Sequence, residues 1–156
     1  MKKLMLLLGI VVLTILELNW PSFLRFFHGQ PDLLLVFMVS LVFYTDFSTA
    51  LFFGILAGLF KDIFLFSSVA INTICFGVYS YLVYLLSRQI SIDEDYVRWG
   101  IILIVALMHN FILGLQGLAG GTLISSGIFL RNLIIVSAYK TLLSPFILKF
   151  IKKITT

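Results

Sequence analysis

Cysteine, proline and charge are all scarce in this chain: one cysteine, three prolines and a charged fraction of 12% across 156 residues. A lone Cys75 excludes an intrachain disulfide and a cysteine-based metal cluster, and its place inside an apolar run reads as core packing. With 61% hydrophobic residues and a mean hydropathy of +1.13, there is too little polar surface to cover a soluble globule. Catalytic signatures are missing as well. The sequence has no G-x-S-x-G elbow, no phosphate-binding loop, no H-E-x-x-H, no H-x-E with C-x-x-C and no facing pair of carboxylates. We therefore expect no catalytic residue, no metal ligand and no cofactor, and read the chain as a non-enzyme. No soluble domain, low-complexity tail or internal repeat interrupts it.

What remains is a series of long apolar runs without the apolar-polar alternation of a membrane β-barrel. The fold class is all-α: a polytopic integral membrane protein forming one domain over residues 1–156, with about six transmembrane helices at 4–20, 31–47, 48–66, 69–87, 97–115 and 127–150. Met1-Lys2-Lys3 and the apolar run that follows resemble a signal peptide, but no small-x-small cleavage site follows, so the segment reads as a retained first span. The connection from Pro21 to Gln30 mixes Phe23, Phe26 and Phe27 with Arg25 and His28, a pattern suited to lying flat at the headgroups or packing as a loop. The run 33–44 is short for a crossing and reads as a span once Pro31 and Phe47 are included. Pro145 is expected to kink the sixth helix near its end.

Two features stand out within the runs. Pro31 suits the first position of a helix, where its missing N–H costs nothing, and Asp32 beside it favours the positive end of the helix dipole. In the third run Ala50, Gly54, Gly58 and Asp62 recur every four residues, a strip of small side chains on one helix face that ends in a carboxylate. Such strips let helix backbones approach closely in lipid, and this one suits intrachain packing, a partner's helix or a homodimer. Asp46 or Ser48 is placed to cap the third helix. The polar residues Lys61, His109, Arg131 and Lys140 are candidates for intramembrane contacts. Asp62 with Arg131 is the preferred pair, with Lys61 or Glu17 as competitors. His109 is expected to be a hydrogen-bonded core residue near Asn72 or Asn132, and Lys140 to snorkel toward the headgroups, with a counter-ion for an anionic ligand as its alternative role.

The net charge of +4 sits mostly at helix ends, which points to orientation in a bilayer rather than to nucleic acid. With six spans and a cytoplasmic N terminus, Lys2, Lys3, Arg88, Arg98, Lys149, Lys152 and Lys153 face inward while Arg25, Lys61 and Arg131 lie outward. Seven basic residues against three favour that topology, with both termini cytoplasmic.

Pro31-Asp32-Leu33 followed by Gly54-Ile55-Leu56-Ala57-Gly58-Leu59-Phe60-Lys61-Asp62, in a basic-ended chain of this size, resembles the bacterial rod shape-determining protein MreD family. The resemblance rests mainly on residues 31–86; the connection after the third run, Phe64 to Ala70, departs from the proline-leucine-glycine turn that members often carry. It implies a scaffold subunit of the peptidoglycan-synthesising elongation complex in the cytoplasmic membrane. The partner it implies is a single-span MreC-like protein, with MreB, RodA and a penicillin-binding transpeptidase reached indirectly. It also implies that Pro31 and Asp32 set the start of the second helix while Gly54, Gly58 and Asp62 fix the packing of the third. Chains of this family are similar in size and span number to the substrate-binding components of energy-coupling-factor transporters, which supplies both a fold expectation and an alternative function, vitamin binding. Such components usually meet their coupling partner through alanines four apart in the first helix, and residues 4–18 contain none.

Overall fold

The computed structural model describes residues 2–21, 31–64, 70–90, 94–121 and 125–155. Most of the Pro21–Gln30 connection, with Arg25 and His28, lies outside the described residues, as do positions 65–69 of the connection after the third run. Six α-helices follow one another: α1 Lys2–Leu18, α2 Leu33–Tyr44, α3 Phe47–Phe64, α4 Ile71–Gln89, α5 Asp95–Ala119 and α6 Ser126–Thr155. No strand occurs among the described residues. Three helices, α3, α5 and most of α6, are long and apolar enough to cross a membrane. The outer faces carry exposed Leu8, Val12, Phe52, Ile74, Leu142 and Phe146, the pattern of a bundle whose solvent is lipid.

The centre is α2. Leu33 through Val42 are all buried, because an uninterrupted apolar sequence has no polar face to turn outward. It packs against every other helix, so the remaining five surround it. Its start is fixed locally: the Asp32 side chain caps it, Oδ1 accepting from the Leu35 N–H at 3.0 Å. Pro31 thus precedes the cap rather than opening the helix. At the far end Arg98 donates to the Tyr44 hydroxyl at 3.1 Å. Twelve residues make α2 only about 18 Å long, against a hydrocarbon core of about 30 Å. The helix is thus shorter at both ends than the expected bounds 31–47, whereas α5 has 25 residues.

The turn into α3 is capped by Asp46, whose carboxylate accepts from the Thr49 amide at 3.0 Å and its hydroxyl at 2.9 Å. These bonds, the amide first, hold the Asp46 carboxyl below its usual range. The small-residue strip then lays α3 against α4. A Cβ on Gly58 would stand 2.6 Å from Thr73 Cα and 2.7 Å from the Asn72 carbonyl oxygen, and one on Gly54 would meet Ser80 Oγ and Met38 Cγ. Ala50 is fully buried on the same strip. The strip is thus buried in intrachain helix packing. Helix α6 runs on through Pro145, beyond the expected end at 150, to Thr155. The Thr141 carbonyl, which proline deprives of its usual donor, accepts from Ser144 Oγ at 2.7 Å.

Gly58→Leu should lower stability by about 1–3 kcal/mol or more, because the neighbours it meets are backbone atoms. Gly100→Ala, with nothing within 4 Å of the added carbon, is the matched control. Thermal unfolding of the purified protein in detergent compares the two, and an unchanged midpoint for the Gly58 variant would contradict the packing.

Candidate functional site

The polar residues of the spans converge at the capped end of α2. Asp32 uses Oδ1 for its own helix and presents Oδ2 to three others: Lys61 of α3 in direct contact, His109 Nε2 of α5 at 3.2 Å and Lys140 Nζ of α6 at 3.9 Å. Lys61 also reaches Glu17 Oε1 of α1 at 3.3 Å. One carboxylate and one ammonium therefore connect five of the six helices. Lys140 Nζ donates to Asn110 Oδ1 at 2.7 Å, and Asn110 Nδ2 donates to Ser137 Oγ at 2.8 Å. The imidazole of His109, fully buried, sits between the rings of Phe76 and Tyr79, with centroids at 5.6 and 5.8 Å.

This arrangement corrects several expectations. Lys140 does not snorkel; it is 1% exposed and anchored on Asn110. Lys61, 7% exposed, is held between two carboxylates inside the bundle. His109 lies against Asp32 rather than Asn72 or Asn132. Asp62, one residue after Lys61, points to a different neighbour: its oxygens accept from the amide and side chain of Asn72 and from the amide and hydroxyl of Thr73, at 2.7–3.2 Å. It caps α4, whose own N-cap residue Ala70 offers no side-chain acceptor, instead of meeting Arg131. Arg131 is on the exposed surface of α6.

The members that sequence reasoning passed over are Asn110, Ser137 and Thr14. A signal was present, since Ser137, Lys140 and Ser144 recur at helical spacing and all three are buried. The central role of Glu17 was also underread, because it stands alone at the end of its helix.

Two acids and two ammoniums sum to zero, so the cluster avoids a net buried charge while remaining costly to desolvate. Among the described residues no group of His, Cys, Asp and Glu is arranged to hold a metal ion. Beside the cluster lies a cavity of about 400 Å³, with Glu17, Asp32, Lys61, Asn110 and Lys140 on its polar wall and Leu34 and Leu113 on its apolar one. A second, shallower space of about 720 Å³ runs along the outside between α1 and α6, almost wholly apolar.

Compared with known proteins, residues 1–154 match the family model described as rod shape-determining protein MreD. No curated protein and no solved structure matches the chain significantly.

Removing one partner of a buried ion pair strands the other, at about 3–5 kcal/mol. Lys61→Met should therefore destabilise the protein by that order, whereas Lys152→Met on the exposed end of α6 should stay within about 0.5 kcal/mol. Equal unfolding midpoints for the two variants would show that the pair does not hold the bundle.

Proposed function

Since the chain belongs to the MreD family of rod shape-determining proteins, we propose that it is a non-enzymatic scaffold of the cell-elongation complex, holding the transmembrane helix of an MreC-like partner. That partner would link it to MreB, RodA and a penicillin-binding transpeptidase. The family is one of shape-determining membrane proteins, and Lys61 pairs with Asp32 and Glu17 while Lys140 bonds to Asn110.

The observation that carries the reading is the groove between α1 and α6. Helix α1 buries a single stripe, Leu6, Ile10 and Thr14, and leaves Met5, Leu8, Val12 and Leu16 on the groove wall facing Phe146 and Phe150. In lipid, burial of apolar surface gives no preference for one helix over another, so a concave, ridged surface is what selects a partner span. With the small-residue strip buried within the chain, we take this groove as the docking surface. Lys153 at its end supplies a cation at the headgroup level. The excess of Lys and Arg at one end of the helices supports a cytoplasmic-membrane placement with both termini cytoplasmic.

Val12→Trp fills the groove from an exposed position and should reduce co-purification of the MreC-like partner at least tenfold with an unchanged unfolding midpoint. Ile134→Trp, exposed elsewhere on α6, should leave it unaffected. Full partner recovery with the Val12 variant would rule the groove out as the docking surface.

A further inference from the structure

The cavity beside the charge cluster has properties that the partner groove does not need. Its wall carries one carboxylate and one ammonium with bonding capacity left over, on different helices. Glu17 Oε2 and Asp32 Oδ2 are both buried without a hydrogen-bond partner, but the Lys61 ammonium stands against Asp32 Oδ2, which leaves Glu17 Oε2 as the acceptor open to a ligand. Lys140 uses one N–H on Asn110, and the Asp32 carboxylate stands 3.9 Å away, beyond hydrogen-bond reach. An ammonium has three donors, so two remain. Lys61 differs, lying against both acids. A surplus of one sign would select a simple ion. A neutral set with one unmet acceptor and one unmet donor selects a ligand that carries both charges.

The remaining wall sets the rest of that ligand's character. Leu18, Leu34, Phe64 and Leu113 are apolar, and Leu18 and Phe64 are 44% and 45% exposed on the outside of the bundle. The cavity mouth therefore opens among side chains that face acyl chains. At about 400 Å³ the space is in the usual range for small-ligand sites, large enough for a headgroup and too small for two lipid tails.

We propose that this cavity seats the zwitterionic headgroup of an aminophospholipid. The primary ammonium donates to Glu17 Oε2, the phosphate oxygens accept from Lys140, and the acyl chains leave past Leu18 and Phe64. A primary ammonium brings three N–H donors and a positive charge to the carboxylate, whereas a quaternary choline brings no donor, and a glycerol headgroup brings only neutral hydroxyls and no charge to balance Glu17. Free phosphoethanolamine brings the same ammonium and a phosphate, here a monoester with about −1.5 to −2 charges, without the tails.

The test is native mass spectrometry of the full chain in detergent, titrated with phosphatidylethanolamine, phosphatidylcholine, phosphatidylglycerol and free phosphoethanolamine. One phosphatidylethanolamine should bind per chain, at least tenfold tighter than either other lipid or the free headgroup. Lys140→Met and Glu17→Gln should each weaken it at least tenfold, and Lys140→Arg should retain it. If Lys140→Met does not fold, Leu113→Trp, which fills the cavity without removing a charge, should show the same loss. Equal binding of phosphatidylcholine or phosphatidylglycerol overturns the proposal, as does equal binding of free phosphoethanolamine, which would make the site one for a soluble zwitterion. Unchanged binding by a folded cavity variant overturns it too, and the comparison of lipids on the unmodified protein decides the matter even if no variant folds.

Discussion

A single carboxylate, that of Asp32, is the point on which the bundle's geometry depends. One of its oxygens ends α2 and the other is met by groups from α3, α5 and α6, so the helix start and the tertiary arrangement are set by the same residue. An unpaired charge at the centre of a bilayer costs about 2.5–3.5 kcal/mol on insertion scales, and an unmatched apolar surface in lipid costs little. Polar pairing therefore discriminates between correct and incorrect helix arrangements more strongly than apolar contact does. Lys61 extends the same logic to α1 through Glu17.

Adjacent residues at the end of α3 divide the labour. Lys61 turns inward to the central cluster, and Asp62, about 100° further round the helix, turns to the start of α4. Gly54 and Gly58 permit this by letting α3 and α4 approach until backbone meets side chain and backbone. A helix pair without those glycines would hold Asp62 too far from the Asn72 and Thr73 amides to cap them. Close packing and electrostatic pairing thus depend on each other, and neither alone would fix the bundle.

The class, the helix count and the two motifs were legible because composition and periodicity report them directly. Asp32 at the start of α2 was legible as a charge favoured by the helix dipole, though not as the cap with Pro31 outside the helix. The wiring was not. Which of Asp62, Glu17 and Asp32 meets Lys61 depends on which way each helix face turns, and a helix as uniformly apolar as α2 carries no face to orient it. Lys140 read as snorkelling because a long chain in a span ordinarily does so; its burial follows from Asn110 on the facing helix, a pairing 30 positions away that no local pattern encodes. The length of α2 was also obscured, because the flanking Pro31 and Phe47 extend its apolar run without extending its helix.

The order in which these groups are synthesised gives the late position of Lys140 a meaning of its own. When α3 emerges from the ribosome, Asp32 gains Lys61, but His109 and Lys140 follow only with the last two helices. Until residue 140 is in place the core retains an unfilled position, and a nascent chain halted before α6 displays that gap within the bilayer. The charge cluster is thereby closed, at the molecule's centre, by the helix that follows all its other members in sequence.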